Sequence, residues 1–221
     1  MRSLLFNPAC VALLAVVVCI PHPVTANPVR SSVWIDVTRD AGAVFNGYRL
    51  PREGEGMGVV VLSREVVTAA HVVWGAKTIT LMDAKGAKVA AHIEHIDPVV
   101  DAAVLRVERQ LGHVAAIRLR PSVAGERVVA VQWQRSNGTA STTAGTVWAT
   151  RWTNHGVAVG TIFTGIKGEK GMSGGGLFDQ RGQLIGVIIR IDRTLSYLSV
   201  LPVTELCTRF ARCAGVLDQS Q

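Results

Sequence analysis

Gly171-Met172-Ser173-Gly174-Gly175 is the sharpest chemical pattern in the chain. A serine hydroxyl on a tight turn between glycines has the setting acyl transfer requires: an exposed nucleophile, with backbone N–H groups close enough to face a developing oxyanion. The flanking glycines permit the bend and let a substrate backbone approach closely. The same spacing also serves a strand-to-helix elbow, but there the histidine follows the serine in the chain. The last histidine here is His155. That arrangement is excluded, and any base must come earlier.

The candidate bases are His71, His92, His95, His113 and His155. His71 closes the apolar run Val66-Val67-Thr68-Ala69-Ala70, which reads as a strand ending in small residues, a place from which a barrel presents side chains to a cleft. His92 and His95 fall three apart in an expected strand, so they face opposite sides, one exposed and one packed, and do not share a metal. His113 and His155 lie in loop-like sequence and are expected in solvent. A serine–histidine pair needs an acid to hold the imidazole tautomer. Asp83, Asp97 and Asp101 are the aspartates between His71 and Ser173. Asp83 sits in a turn signal and Asp97 precedes Pro98, so both read as turn residues. Asp101 runs straight into the apolar segment Ala102–Val107, where a carboxylate needs a compensating partner. Each of the three residues alone admits an ordinary structural role; His71, Asp101 and Ser173 in this order point to nucleophilic catalysis. No metal site and no cofactor are expected.

The elements that must position them are short strands. Segments 33–37, 58–62, 78–82, 89–96, 103–107, 127–133, 146–149, 157–163, 176–178, 184–191 and 197–201 are rich in branched residues and separated by turn signals such as Asp83-Ala84-Lys85-Gly86, Asn137-Gly138 and Gln180-Arg181-Gly182. Regular short strands of this kind predict an all-β sandwich or barrel. Residues 108–123 are the expected connection between two β halves. Only the end reads as helical, over about 203–214, with Val203, Leu206 and Phe210 on one face.

The segments VVTAAHVV (66–73), DPVVDAAVLRV (97–107) and GMSGGGLFDQRGQLIGVI (171–188) resemble the three signatures of the trypsin-like serine peptidases, nearest the bacterial HtrA/Deg branch. Gly125-Glu126-Arg127-Val128 and Ala144-Gly145-Thr146-Val147 resemble that branch too, so the likeness spreads over most of residues 33–205. It implies two perpendicular six-stranded β-barrels, about 33–117 and 118–205, with the site between them. It assigns His71 as base, Asp101 as its orienting acid and Ser173 as nucleophile, and makes the backbone N–H groups of Gly171 and Ser173 the oxyanion hole. The strand around Ile188, Ile189 and Arg190 would pair with the substrate backbone, and residues 167–170 would line the primary pocket with it. The branched side chains favour a small or medium apolar substrate residue there; Lys167 or Arg190 would instead favour an acidic one.

Two departures stand out. Met172 occupies the position where Asp or Asn is usual, so activation by pairing with a freed N-terminus is not expected, and any switching would work by loop ordering. Gly176 stands where proline is common, which would loosen the turn. The strand pattern and helix fill the chain to about residue 216, leaving no room for the PDZ domain of many HtrA proteins.

Compartment and charge complete the expectations. Arg2, the apolar run Ala9–Ile20, Pro21, Pro23 and the small-residue site Val24-Thr25-Ala26 have the layout of a secretory signal peptide cut after Ala26. The apolar run of 12 residues is short for a spanning helix of about 20. A periplasmic or secreted protein of residues 27–221 is expected, without stable membrane insertion. The 23 Lys and Arg against 16 Asp and Glu give +7. They are scattered rather than clustered, which speaks for a solvated basic surface and against a nucleic-acid partner. In an oxidising compartment Cys207 and Cys213 are a possible disulfide, provided the helix ends between them; two buried thiols are the other reading. The expected partners are protein or peptide substrates, with oligomeric assembly open. Two functions fit: an endopeptidase of unfolded or envelope proteins, and a silent module of the same fold that binds extended peptides without cutting them.

Overall fold

The computed structural model describes residues 26–134, 138–154 and 157–210. The signal-like leader before Ala26, His155 and the end of the chain past Phe210 lie outside the described residues. After the single turn α1 (Pro28–Ser31), the chain forms β1 (Ser32–Arg39), β2 (Val44–Phe45), β3 (Tyr48–Arg49), β4 (Glu53–Leu62), β5 (Glu65–Thr68), the turn α2 (Ala70–Val73), β6 (Ala76–Asp83), β7 (Lys88–Asp97) and β8 (Ala102–Val107). Residues 108–126 cross over. Then follow β9 (Arg127–Gln134), β10 (Thr139–Asn154), β11 (Val157–Thr164), β12 (Gly176–Asp179), β13 (Leu184–Asp192), β14 (Tyr197–Pro202) and α3 (Val203–Phe210).

Two closed antiparallel barrels of six strands result, ordered β1-β4-β5-β8-β7-β6 and β10-β11-β14-β13-β12-β9. The all-β double barrel implied by the resemblance is present in strand number and closure. Side-chain alternation explains why the halves stay together. Val33, Ile35 and Val37 of β1, with Leu81, Ala103 and Leu105, fill barrel one. Val128, Ile162, Leu177, Ile188 and Val200 fill barrel two. A third buried cluster takes the opposite faces of the same strands, Trp34, Met57, Val59 and Val104 from barrel one and Val131, Trp133, Phe178 and Val187 from barrel two. Strands apolar on both faces therefore build a barrel interior on one side and the interface on the other. Trp34 and Trp133 meet across it with ring centroids 6.2 Å apart.

The structure departs from the sequence expectations in several places. β10 begins at Thr139, seven residues before its apolar half, because the Thr-, Ser- and Ala-rich stretch pairs residue for residue with β9. The β2–β3 hairpin was not expected; Asn46 (φ 46°) and Gly47 (φ 83°) form its two-residue turn, the left-handed pair such hairpins favour. His92 and His95 do not face opposite sides. A register shift between Ile93 and His95 inserts one residue, and both histidines end exposed, as a β-bulge requires. Cys207 is disulfide-bonded; Cys213, its expected partner, lies outside the described residues. Among the described residues no helix is long and apolar enough to cross a membrane.

Candidate active site

β5 ends at Thr68 and leads into α2, whose second residue is His71. Ala70, Val72 and Val73 are buried against barrel one, while the His71 side chain is 28% exposed. Asp101 closes the turn before β8 with φ 57°, a left-handed backbone that aspartate tolerates better than most side chains. Three bonds hold it there. Its carbonyl accepts from the Ala70 N–H at 3.1 Å, Oδ1 accepts from the His71 N–H at 2.8 Å, and Oδ2 lies 2.7 Å from His71 Nδ1. An ionised carboxylate only accepts, so Nδ1 is the donor of this bond, and in a neutral imidazole the lone pair then lies on Nε2. The turn is itself anchored: Asp97 Oδ1 accepts from the Val99 and Val100 N–H groups, and Oδ2 accepts from Arg209 Nη1 of α3 at 2.8 Å. Asp83 likewise accepts from the N–H groups of Lys85 and Ala87. Each is the last residue of its strand and caps the turn that follows.

Ser173 lies in the loop between β11 and β12, clamped from both barrels. Its carbonyl accepts from Met57 N–H of β4 at 2.8 Å, and the next residue, Gly174, donates to the Ile188 carbonyl of β13 at 2.7 Å. Gly174 has φ 82°, and a Cβ there would fall 2.2 Å from the Met57 carbonyl oxygen and from Thr68 Oγ1. No larger residue fits. Gly56 of β4 sits between the turn of His71 and the loop of Ser173: a Cβ on it would lie 2.7 Å from both methyls of Val72 and 2.9 Å from the Ser173 carbonyl oxygen. The turn carrying His71 and the loop carrying Ser173 thus press on one glycine. Met172 is buried in barrel two, its thioether 3.2 Å from the Glu169 N–H and its own N–H on the Glu169 carbonyl at 3.2 Å. Among the described residues no acceptor takes the N–H of Gly171 (φ 94°) or of Ser173.

Arg39 is a residue that sequence reasoning missed. It is 6% exposed, and its guanidinium donates to the carbonyls of Trp74 (2.8 Å), Pro51 (3.3 Å), His71 (3.3 Å) and Val72. It ties the end of α2 to β1, and burial pushes its pKa below the usual arginine value. Phe45 of the unexpected hairpin also faces the site, its ring centroid 6.2 Å from that of His71 and 5.4 Å from that of Trp74. Glu55 reaches Lys170 Nζ across the cleft at 3.3 Å. No local pattern marks these residues; strand register alone brings them to the histidine.

The expected specificity residues divide. Ile188 is wholly buried inside barrel two, its N–H on the Gly175 carbonyl and its carbonyl on the Gly174 N–H. It supports the serine loop and offers nothing to a ligand. Ile189 lies at a register shift of β13 and is half-buried, whereas Arg190 and Lys167 are exposed. Among the described residues no group of His, Cys, Asp and Glu is arranged to hold a metal ion.

A family model described as a trypsin-like peptidase domain matches residues 56–187, a span that contains His71, Asp101 and Ser173. Among solved structures, the Rv3671c protease of M. tuberculosis in its active form shares 23% identity with a TM-score of 0.72, over 85% of this chain and 82% of that one. The HtrA-type protease AlgW, solved with a tripeptide, shares 23% at TM-score 0.70 over 86% and 60%. A serine endoprotease of Yersinia pestis shares 22% at 0.68 over 85% and 63%. These likenesses concern the fold. An uncharacterized protein of Sinorhizobium fredii, y4bJ, is 33% identical over 144 residues, and the match spans 63% of this chain but 22% of that protein's length. The double barrel, the paired His71 and Asp101 beside the clamped Ser173, and a family match over more than half of the 221 residues lead to one conclusion: this chain belongs to the trypsin-like peptidase family.

Proposed function

We propose that the protein is an exported serine endopeptidase, periplasmic or secreted, that cuts unfolded or envelope proteins through His71, Asp101 and Ser173. The observation carrying this reading is the bidentate hold of Asp101 on His71 through side-chain and backbone nitrogens at 2.7 and 2.8 Å, on a turn whose Val72 packs against the same glycine as the serine loop. Ser173 Oγ attacks the scissile carbonyl while His71 Nε2 takes its proton. The oxyanion accepts from the N–H groups of Gly171 and Ser173, which among the described residues meet no other acceptor, and this supports that role. The imidazolium, stabilised by Asp101, then protonates the leaving amine. Water attacks the acyl-enzyme by the same route, and Ser173 is restored. The exposed part of β13 at Ile189 and Arg190 is suited to pairing with an extended substrate, the mode of added-strand recognition.

The test compares purified 27–221 with its Ser173→Ala form on casein. Hydrolysis by the first and none by the second is expected. Equal hydrolysis by both would sink the proposal, and tight binding of unfolded protein with no hydrolysis by either would mark a silent binding module.

A further inference from the structure

A cavity of about 460 Å³ opens beside His71. Among the described residues its walls come from barrel one, with Lys170 the only contribution from barrel two. Resting on the reading of Ser173 as nucleophile, we infer that this cavity receives a cationic side chain, lysine or arginine, from the part of the substrate that leaves as the amine.

Place and charge both argue for this. His71 must deliver a proton to the leaving amine, so that half of the peptide passes the imidazole. On that same reading the acyl half would lie over barrel two, by β13 and the N–H groups of Gly171 and Ser173. The cavity on the barrel-one side of His71 is therefore where leaving-side residues arrive. Strand register then lines it with carboxylates. Asp36 of β1 stands directly opposite Glu55 of β4, and Glu53 opposite Thr38. Like charges facing each other on adjacent strands repel, and here they do so in a chain whose overall excess is +7.

The arginine and the lysine in the wall do little for Asp36 and Glu53. Arg39 spends its guanidinium on backbone carbonyls. Lys170, 79% exposed, reaches Glu55 alone. Asp36 accepts from the Trp34 indole N–H at 3.0 Å, and among the described residues no lysine or arginine pairs with Asp36 or Glu53. The hydroxyls of Thr78 and Thr80 complete a polar lining. A lysine or arginine side chain entering the cavity would meet the carboxylates of Asp36, Glu53 and Glu55 and compete with the exposed Lys170.

The experiment uses quenched fluorescent peptides identical but for Lys, Arg, Ala or Glu at each position just after the scissile bond, cut by wild type and by an Asp36→Asn, Glu53→Gln double variant. The wild type is expected to cut the Lys and Arg peptides with kcat/KM about fivefold above the Glu peptides, as suits a partly exposed ion pair. The double variant should flatten that ratio, with its melting curve showing that it is folded. In the wild type alone, molar salt should shrink the preference, which keeps the test decisive if the variant misfolds. Cleavage indifferent to these residues, a preference for Glu, or a cation preference unmoved by salt or substitution overturns the inference and leaves the peptidase reading standing. If the wild type cuts none of the peptides, the peptidase reading falls and this inference with it.

Discussion

Asp101 does two jobs with one carboxylate, holding the imidazole tautomer through Nδ1 and the α2 turn through the His71 N–H. Asp101→Asn keeps the shape but presents an amide that no longer enforces the tautomer. Its kcat is expected to fall by roughly 10⁴ with little change in KM, measured by steady-state hydrolysis of a peptide substrate. Gly174 is held by geometry rather than chemistry. Gly174→Ala adds a Cβ 2.2 Å from two oxygens at φ 82°, so the variant should lose activity even with His71, Asp101 and Ser173 intact; activity near that of wild type would show that the loop relaxes freely. The candidate residues His71, Asp101 and Ser173 were legible in the sequence because their order and flanking glycines are local patterns. Arg39, Phe45 and Glu55 were not, since each reaches the site from a strand more than a dozen residues away in the chain. Ile188 was misjudged for a related reason: a branched residue in a strand looks the same whether it faces a barrel interior or a ligand.

At the scale of elements, the turn 97–101 links Asp101 to the terminal helix. Asp97 caps the turn with Oδ1 and takes Arg209 of α3 with Oδ2, so α3 supports Asp101 from a distance. Arg209→Ala is expected to cost about 1 kcal/mol of stability and to lower kcat severalfold without altering KM. Denaturant unfolding and steady-state kinetics check the two parts, and an unchanged kcat would confine the link to stability. The sequence showed most strands through their branched residues, and it showed α3 through its apolar spacing. It hid the first half of β10, whose small polar residues are strand only because β9 pairs with them, and the bulge in β7, which turns His95 outward. Pairing partners, not local composition, decide such segments.

For the whole molecule, the crossover between barrels is clamped by one buried arginine. Arg118 is 8% exposed and pairs with Glu126, with Ser122 Oγ at 2.9 Å and with Asp179 Oδ2 at 3.4 Å, joining the linker to β12. The hydrogen bond from Arg118 holds the Glu126 carboxyl below its ordinary pKa, and the arginine's charge acts in the same direction against the effect of burial. A carboxylate depressed on folding stabilises the fold above its unfolded pKa of about 4.3 and loses that contribution as pH falls through the lower folded value. Glu126→Gln should therefore be less stable than wild type by about 3 kcal/mol at pH 7, with the gap closing below about pH 4; denaturant melts at the two pH values test this, and a constant gap would exclude the linkage. That the chain makes two barrels was legible from strand number and signature order, while the clamp and the two-tryptophan contact between barrels are products of tertiary assembly. The proposed function rests on Ser173 as the nucleophile, and the most direct measurement is mass-spectrometric mapping of a serine-directed phosphonate probe on the folded protein. A single adduct on Ser173, absent from His71→Ala, is predicted. No adduct, or one undiminished in His71→Ala, would contradict the account.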